Sequence, residues 1–197
     1  DVIAYLSKSV ITHPKDKSFI VSSDKDFLQL VSDNVIVYRP MEKEYYTSKT
    51  VIDKYKISPH NFILHKTLLG DNSDKIKGVK GLGEKGLLKK FPELIEKDMN
   101  WDDILNICEN KMSDHVIYAR IIHGRDDLEK NYKIMDLSNP MLSKEDKEGL
   151  DEVVSSKDLP YYPDQFVSMY NEDQIGGLIR NLEFWVKDCF ENLVIKK

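Results

Sequence analysis

Cysteine is nearly absent: Cys108 and Cys189 are the two in 197 residues. So sparse a set builds neither a disulfide framework nor a cysteine-based zinc site. No apolar run approaches the roughly 20 residues that a membrane-spanning helix needs, and the start of the chain lacks the basic-then-apolar pattern of a secretory signal. A membrane partner is therefore not expected, and an intracellular, cytoplasmic setting is. The five histidines, at 13, 60, 65, 115 and 123, show no ligand spacing with cysteine or with one another. There is no G-x-S-x-G, so Ser22 and Ser23 have no motif claim as nucleophiles.

What the chain does have is charge, at 32% of residues, beside 41% hydrophobic residues, the balance of a globular domain that buries a sizeable core. The net charge is −5, yet Lys75 to Lys90 holds six lysines against the single Glu84. A basic patch, not the total, decides whether nucleic acid can bind. Just ahead of that patch stand Asp71 and Asp74, and the patch carries glycines at 78, 81, 83 and 86. Acid for metal and base for phosphate are side by side.

Gly81 and Gly83 allow a tight turn and close approach to a ligand, and Leu87, Leu88 and Phe91 read as the apolar face of a short following helix. Peptide N–H groups of such a turn make an anion site. Two nucleotide motifs compete for the same glycines. Gly81 to Gly86 matches G-x-G-x-x-G, but that fingerprint needs a buried strand directly before it, and Asp-Lys-Ile-Lys-Gly-Val-Lys is too charged and too glycine-broken. Gly78 to Gly83 has Walker A spacing, but Glu84-Lys85-Gly86 stands where Lys and Ser or Thr are required.

In chain order, Val2, Ile3, Leu6 and Val10 predict an amphipathic helix to about His13, stopped by Pro14. Ser18 to Ser22 has the profile of a buried strand, delivering Asp24 and Asp26 to a strand's C-terminal end, where α/β proteins build sites. Taken alone, these two carboxylates read equally well as helix caps. Asn34 to Tyr38 and Glu44 to Thr47 read as a strand and its hairpin partner. Ser48 is expected to cap a helix to Tyr55, and a further helix runs from Pro59 to Leu69. Beyond Phe91 the pattern is helical almost throughout: 92–97, 101–111, 114–125, 144–154, 164–170 and 174–190. A weak strand signal covers Lys133 to Leu137. Tyr161, Tyr162, Phe166, Tyr170, Phe184 and Trp185 recur at near-helical spacing and read as packing residues.

Val79-Lys80-Gly81-Leu82-Gly83-Glu84-Lys85 resembles the hairpin of a helix-hairpin-helix. With Gly70-Asp71 and Asp74 ahead of it, the stretch resembles the helix–three-turn–helix region of the flap-endonuclease/5′-nuclease superfamily. Ser22-Ser23-Asp24-Lys25-Asp26-Phe27-Leu28-Gln29-Leu30 is similar to the segment that supplies two metal-binding aspartates in that family. Asn131-Tyr132-Lys133-Ile134-Met135-Asp136-Leu137 resembles a segment following its DNA-binding helices. Within the superfamily the pattern is nearest to T-even-like phage ribonuclease H and 5′-3′ exonuclease.

The resemblance implies an α/β fold, PIN-like, with a metal-binding domain over 1–58, a helix–three-turn–helix region over 59–137 and a helical region over 138–197. It implies a structure-specific nuclease of DNA replication, acting on a duplex with a 5′ end or flap or on an RNA–DNA hybrid. Two Mg²⁺ (or Mn²⁺) ions would be held by Asp24 on one side and Asp26, Asp71 and Asp74 on the other. Asp1-Val2-Ile3-Ala4-Tyr5-Leu6 resembles the end of the family's acidic run, which adds Asp1 as a ligand and places further ligands upstream of it, so that residues 1–197 alone are expected to bind but not to cut. Lys77, Lys80, Gly81, Gly83, Lys85, Lys89 and Lys90 would grip a phosphate backbone, and main-chain oxygens at Gly78, Val79 and Leu82 would hold a K⁺ ion. A sliding clamp or a single-strand-binding protein is an expected partner, and a phage origin would make the setting the host cytoplasm. Two rivals stay open: a non-catalytic DNA-binding module whose aspartates only cap helices, and a PIN-like ribonuclease.

Overall fold

The computed structural model describes residues 1–11, 13–156, 162–174, 177 and 179–190. They form two compact units, Asp1–Lys147 and Glu148–Lys197.

The first unit opens with helix α1 (Val2–Ser9), shorter than the expected run to His13. Strand β1 (Ser18–Val21) follows, then a 3-10 turn over Lys25–Leu30, strand β2 (Val35–Arg39) and strand β3 (Glu44–Tyr46). The sheet order is β1-β2-β3, with β1 parallel to β2 and β2 antiparallel to β3. Only Ile20 of β1 is buried, whereas Phe19 and Val21 are exposed. The continuous apolar run predicts a buried strand, but Phe19 and Val21 lie on a sheet face that stays open.

Helix α2 (Ser48–Tyr55) is capped by Thr47, whose hydroxyl accepts from the Thr50 N–H at 3.3 Å, and not by Ser48. Pro59–Asn61 forms a 3-10 turn leading into α3 (Phe62–Leu69), a helix buried on almost every side. Asn61 fixes that entry: its amide donates to the carbonyls of Leu94 and Lys97, and its oxygen accepts from the Met99 N–H. The chain then folds back as a two-stranded hairpin, β4 (Gly70–Asp71) and β5 (Ile76–Lys77). Helices α4 (Glu84–Lys90), α5 (Glu93–Glu96), α6 (Trp101–Asn110), α7 (Val116–His123) and α8 (Arg125–Met135) complete the unit with the start of α9 (Lys144–Ser155).

The weak strand signal at Lys133 to Leu137 is overturned, because α8 runs through Met135. Leu128 and Met135 are buried and Tyr132 packs against the core, a helical spacing that local β-branched preference does not outweigh. α8 packs on α3, and its C-terminal end is pinned to the 3-10 turn by Gln29, which donates to the Met135 carbonyl and accepts from the Leu137 N–H.

In the second unit, α10 (Pro163–Glu172) packs on α11 (Leu182–Phe190). Phe166 meets both Tyr170 and Trp185, the packing role expected of them, while Tyr162 and Phe184 are exposed and Tyr161 lies outside the described residues. The expected helix over 174–190 is described as a helix from Leu182, and 175, 176 and 178 lie outside the described residues. No helix among the described residues is long and apolar enough to cross a membrane.

Candidate functional site

Asp26 and Asp71 come from different elements and meet at the Lys66 ammonium. Ser22, at the end of β1, begins a chain of local turns: its hydroxyl accepts from the Asp24 N–H, and the Asp24 carboxylate accepts from the Asp26 N–H at 2.9 Å. Asp24 therefore does cap the 3-10 turn, and in doing so it aims Asp26 inward. Arg39, buried at the end of β2, holds this loop from below by donating to the Ser23 carbonyl at 2.8 Å. Glu42 pairs with the same guanidinium and accepts from the Tyr46 hydroxyl.

Asp71 leaves α3 through Gly70, whose φ of +81° is a left-handed conformation that favours glycine. Gly78 lies against the same turn, and a side chain there would meet the Leu69 carbonyl carbon at 2.2 Å. The two glycines let the strands cross closely enough to form the hairpin. At its tip Ser73 donates to Asp71 through both its N–H and its hydroxyl.

One carboxylate oxygen from each of Asp26, Asp71 and Asp74 lies within 4.8 Å of the others. Asp24, Asp71 and Asp74 line a cleft of about 630 Å³, together with Lys25, Arg39, Ser73 and Glu84. Asp1 is exposed at the head of α1 and does not join the cluster. Three of the five expected ligands are thus brought together, a fourth, Asp24, lines the cleft with Asp71 and Asp74, and the fifth stands apart. A compact set of carboxylate oxygens is the donor chemistry of a hard divalent cation.

Lys66 is the residue that sequence reasoning missed. It is 7% exposed, and its ammonium ion-pairs with Asp26 and, at 2.5 Å, with Asp71. With Ser73, it holds the Asp71 carboxyl well below the usual carboxylate range. The signal was present: in Phe-Ile-Leu-His-Lys-Thr-Leu-Leu a lysine stands in a helix whose other side chains are mainly apolar, and a buried lysine needs a partner.

The basic hairpin follows directly. Val79 and Leu82 are buried, and the Leu82 N–H donates to the Val79 carbonyl, closing the turn. Gly81 has φ +83°, so its glycine is required. Gly83, by contrast, has an ordinary φ of −116° and open space where a side chain would go, so the turn itself does not need it. Arg120 of α7 donates to the Lys80 carbonyl at 2.7 Å and holds the hairpin's shape, a role no local pattern announced. Lys77, Lys80, Lys85 and Lys89 are exposed, while Lys90 is half-buried over the Tyr118 ring.

Residues 1–56 match the family model described as a 5′-3′ exonuclease, N-terminal resolvase-like domain. A 5′-3′ exonuclease of Aquifex aeolicus (strain VF5) is 35% identical over 152 residues, covering 74% of this chain. The chain is similar over most of its length to members of the flap-endonuclease/5′-nuclease superfamily. It spans 48% of the Aquifex protein's length. Among solved structures, bacteriophage T5 5′-exonuclease with bound zinc aligns with a TM-score of 0.63 at 20% identity, covering 78% of this chain and 57% of that one. The T5 flap endonuclease in a pseudo-enzyme–product complex with DNA and metal ions aligns at 0.62 and 18%, with the same coverage. These likenesses establish for this 5′-nuclease relative the PIN-like α/β fold that the motifs imply.

Proposed function

We propose that the protein acts as a metal-dependent, structure-specific 5′ nuclease, hydrolysing phosphodiester bonds in DNA, or in RNA paired to DNA, during replication. The observation that carries this reading is the convergence of the Asp26, Asp71 and Asp74 carboxylates within 4.8 Å of one another, one hairpin away from a lysine-rich turn. The relatives point the same way.

In this reading Asp26, Asp71 and Asp74 hold the divalent ions, Mg²⁺ or Mn²⁺, with Asp24 in the cleft beside Asp71 and Asp74 and Asp1 as a more distant candidate. Such ions, when bound, lower the pKa of a water and neutralise charge on a phosphodiester. The protein's own part is orientation. Ser73 fixes the Asp71 carboxylate, Asp24 fixes the Asp26 backbone, and Arg39 fixes the loop that carries both Asp24 and Asp26. The main chain at Gly81 and Gly83, with Lys77, Lys80, Lys85, Lys89 and Lys90, grips phosphates of a duplex and positions it without reading bases. Selectivity then lies in the shape of the substrate: a duplex with a 5′ end or flap. A sliding clamp or single-strand-binding protein completes the setting we propose.

The reading includes K⁺ at main-chain oxygens of Gly78, Val79 and Leu82. Arg120 already sets one cationic group against the hairpin, on the Lys80 carbonyl, so K⁺ would act beside it. Duplex affinity measured in K⁺ and in a bulky organic cation at equal ionic strength should then be higher in K⁺, and equal affinities would remove that ion.

Asp71→Asn tests the main claim. Against a parent that cuts, the variant should keep affinity for a 5′-flap duplex and lose about a hundredfold or more of Mg²⁺-dependent cleavage, at or beyond the roughly 10–100-fold that losing a partner of a metal ligand typically costs. Cleavage at the parental rate would take Asp71 out of the metal site.

A further inference from the structure

We propose that Lys66 is a resident cation: in the metal-free protein its ammonium occupies the place between Asp26 and Asp71, and a divalent ion binds there by displacing it. The proposal rests on the metal-binding reading above and adds the means by which the empty site stays folded and the ion gains entry.

Three facts carry it. Lys66 is 7% exposed on α3, a helix whose other side chains are mainly apolar. A lysine so placed keeps its charge only beside an opposite charge. Secondly, its partners are not neighbours in sequence. Asp26 reaches it from the turn after β1 and Asp71 from β4, so the one ammonium joins the two halves of the acidic cluster. Without a cation, carboxylates within 4.8 Å of one another repel.

Thirdly, the oxygens of Asp71 are already engaged. One accepts from the N–H and hydroxyl of Ser73, and the other accepts from Lys66. A divalent ion approaching the oxygen that faces the cluster meets an ammonium on that same oxygen. Two cations in contact with one oxygen repel at the shortest range, so the ion replaces Lys66, and the carboxylates keep their spacing because one cation hands over to another. Lys66 thereby lowers metal affinity while preserving the site's geometry when no metal is bound.

Mn²⁺ titrated into the protein, followed by calorimetry, decides this. Lys66→Met keeps the apolar stem and removes the competing charge. It should bind Mn²⁺ at least about tenfold more tightly, a shift of about 1.4 kcal/mol, while the metal-free variant melts lower and gains more in melting temperature from Mn²⁺ than the parent does. Lys25→Met removes a charge from the same cleft without touching the Asp26–Asp71 pair, and should change affinity less than about threefold as a through-space effect. Equal or weaker Mn²⁺ binding by a folded Lys66→Met, or an equal gain in Lys25→Met, overturns the proposal.

If Lys66→Met does not fold, the unsubstituted protein still answers. The slowly exchanging Nζ–H₃⁺ signal of Lys66, observed by ¹⁵N NMR, should disappear on saturation with Mg²⁺, and its persistence overturns the displacement. Asp71→Asn separates the two layers: if it and the parent take up Mn²⁺ identically, the metal reading itself fails and the Lys66 proposal falls with it.

Discussion

Asp71 illustrates how one side chain can be specified from several directions. Its position depends on a left-handed glycine before it, its orientation on Ser73, and its charge on Lys66. Because its pKa is lowered on folding, the stability it contributes is complete above the ordinary aspartate range and is lost only as pH falls through the depressed folded value. The melting temperatures of the parent and Asp71→Asn, compared without metal, should therefore differ by a constant amount from neutral pH down to about pH 4, the unfolded aspartate value. The gap should close only in stronger acid, and closure near pH 6 would show that the ion pair does not set this carboxyl's pKa. Two glycines make a matched residue-scale test. Gly81→Ala forces an L residue to φ +83° with its Cβ 3.0 Å from the Arg120 guanidinium, at a cost of about 1–2 kcal/mol, and should weaken duplex binding without changing Mn²⁺ uptake. Gly83→Ala meets neither obstacle and should fold as well as the parent. A loss of duplex affinity in that variant alone would mean that a phosphate approaches the backbone at Gly83.

At the scale of elements, the β4–β5 hairpin is the joint between acid and base. Gly78→Ala places a methyl against the Leu69–Gly70 peptide, where α3 passes into β4, a clash with backbone that no rotamer can relieve. Overpacking of this kind costs about 1–3 kcal/mol or more, and both Mn²⁺ uptake and duplex affinity should fall together, as measured by calorimetry and fluorescence anisotropy. Normal stability in Gly78→Ala would mean that the strands do not approach so closely. Local chemistry made this hairpin legible as a glycine-rich turn, but not the reason for Gly70 and Gly78, which is an approach between segments that sequence spacing does not express. The same limit explains the other misses. Arg39 acts on a carbonyl 16 residues away, Lys66 on carboxylates 40 and 5 residues away and Arg120 on a carbonyl 40 residues away, and only Lys66 left a trace, as a charge in a mainly apolar helix. Thr47 rather than Ser48 caps α2 because the cap is set by where the chain leaves β3. The strand signal at Lys133 to Leu137 failed because burial of Leu128 and Met135 on one helical face outweighs local preference.

For the molecule as a whole, a net charge of −5 coexists with a lysine-rich turn, so binding to duplex should be strongly salt-dependent although the protein is acidic. Lys89→Ala should reduce the slope of log affinity against log salt by about one unit, one phosphate contact, evenly across sequences. Lys90→Ala should reduce it less, because Lys90 is half-buried over Tyr118; equal slopes for both variants and the parent would remove these lysines from the interface. The elements around the acidic cluster, their order and the hairpin were legible from hydrophobic period, glycine placement and two acidic motifs. Which carboxylates converge was not, since Asp1, Asp24, Asp26, Asp71 and Asp74 look alike in sequence and are separated only by where β1, α3 and α1 place them. The central claim is that Asp26, Asp71 and Asp74 form a divalent metal site, and crystals soaked in Mn²⁺ test it most directly. An anomalous difference peak should lie among these three carboxylates, with the Lys66 ammonium moved off Asp71. A folded crystal saturated with Mn²⁺ and showing no peak there would contradict it.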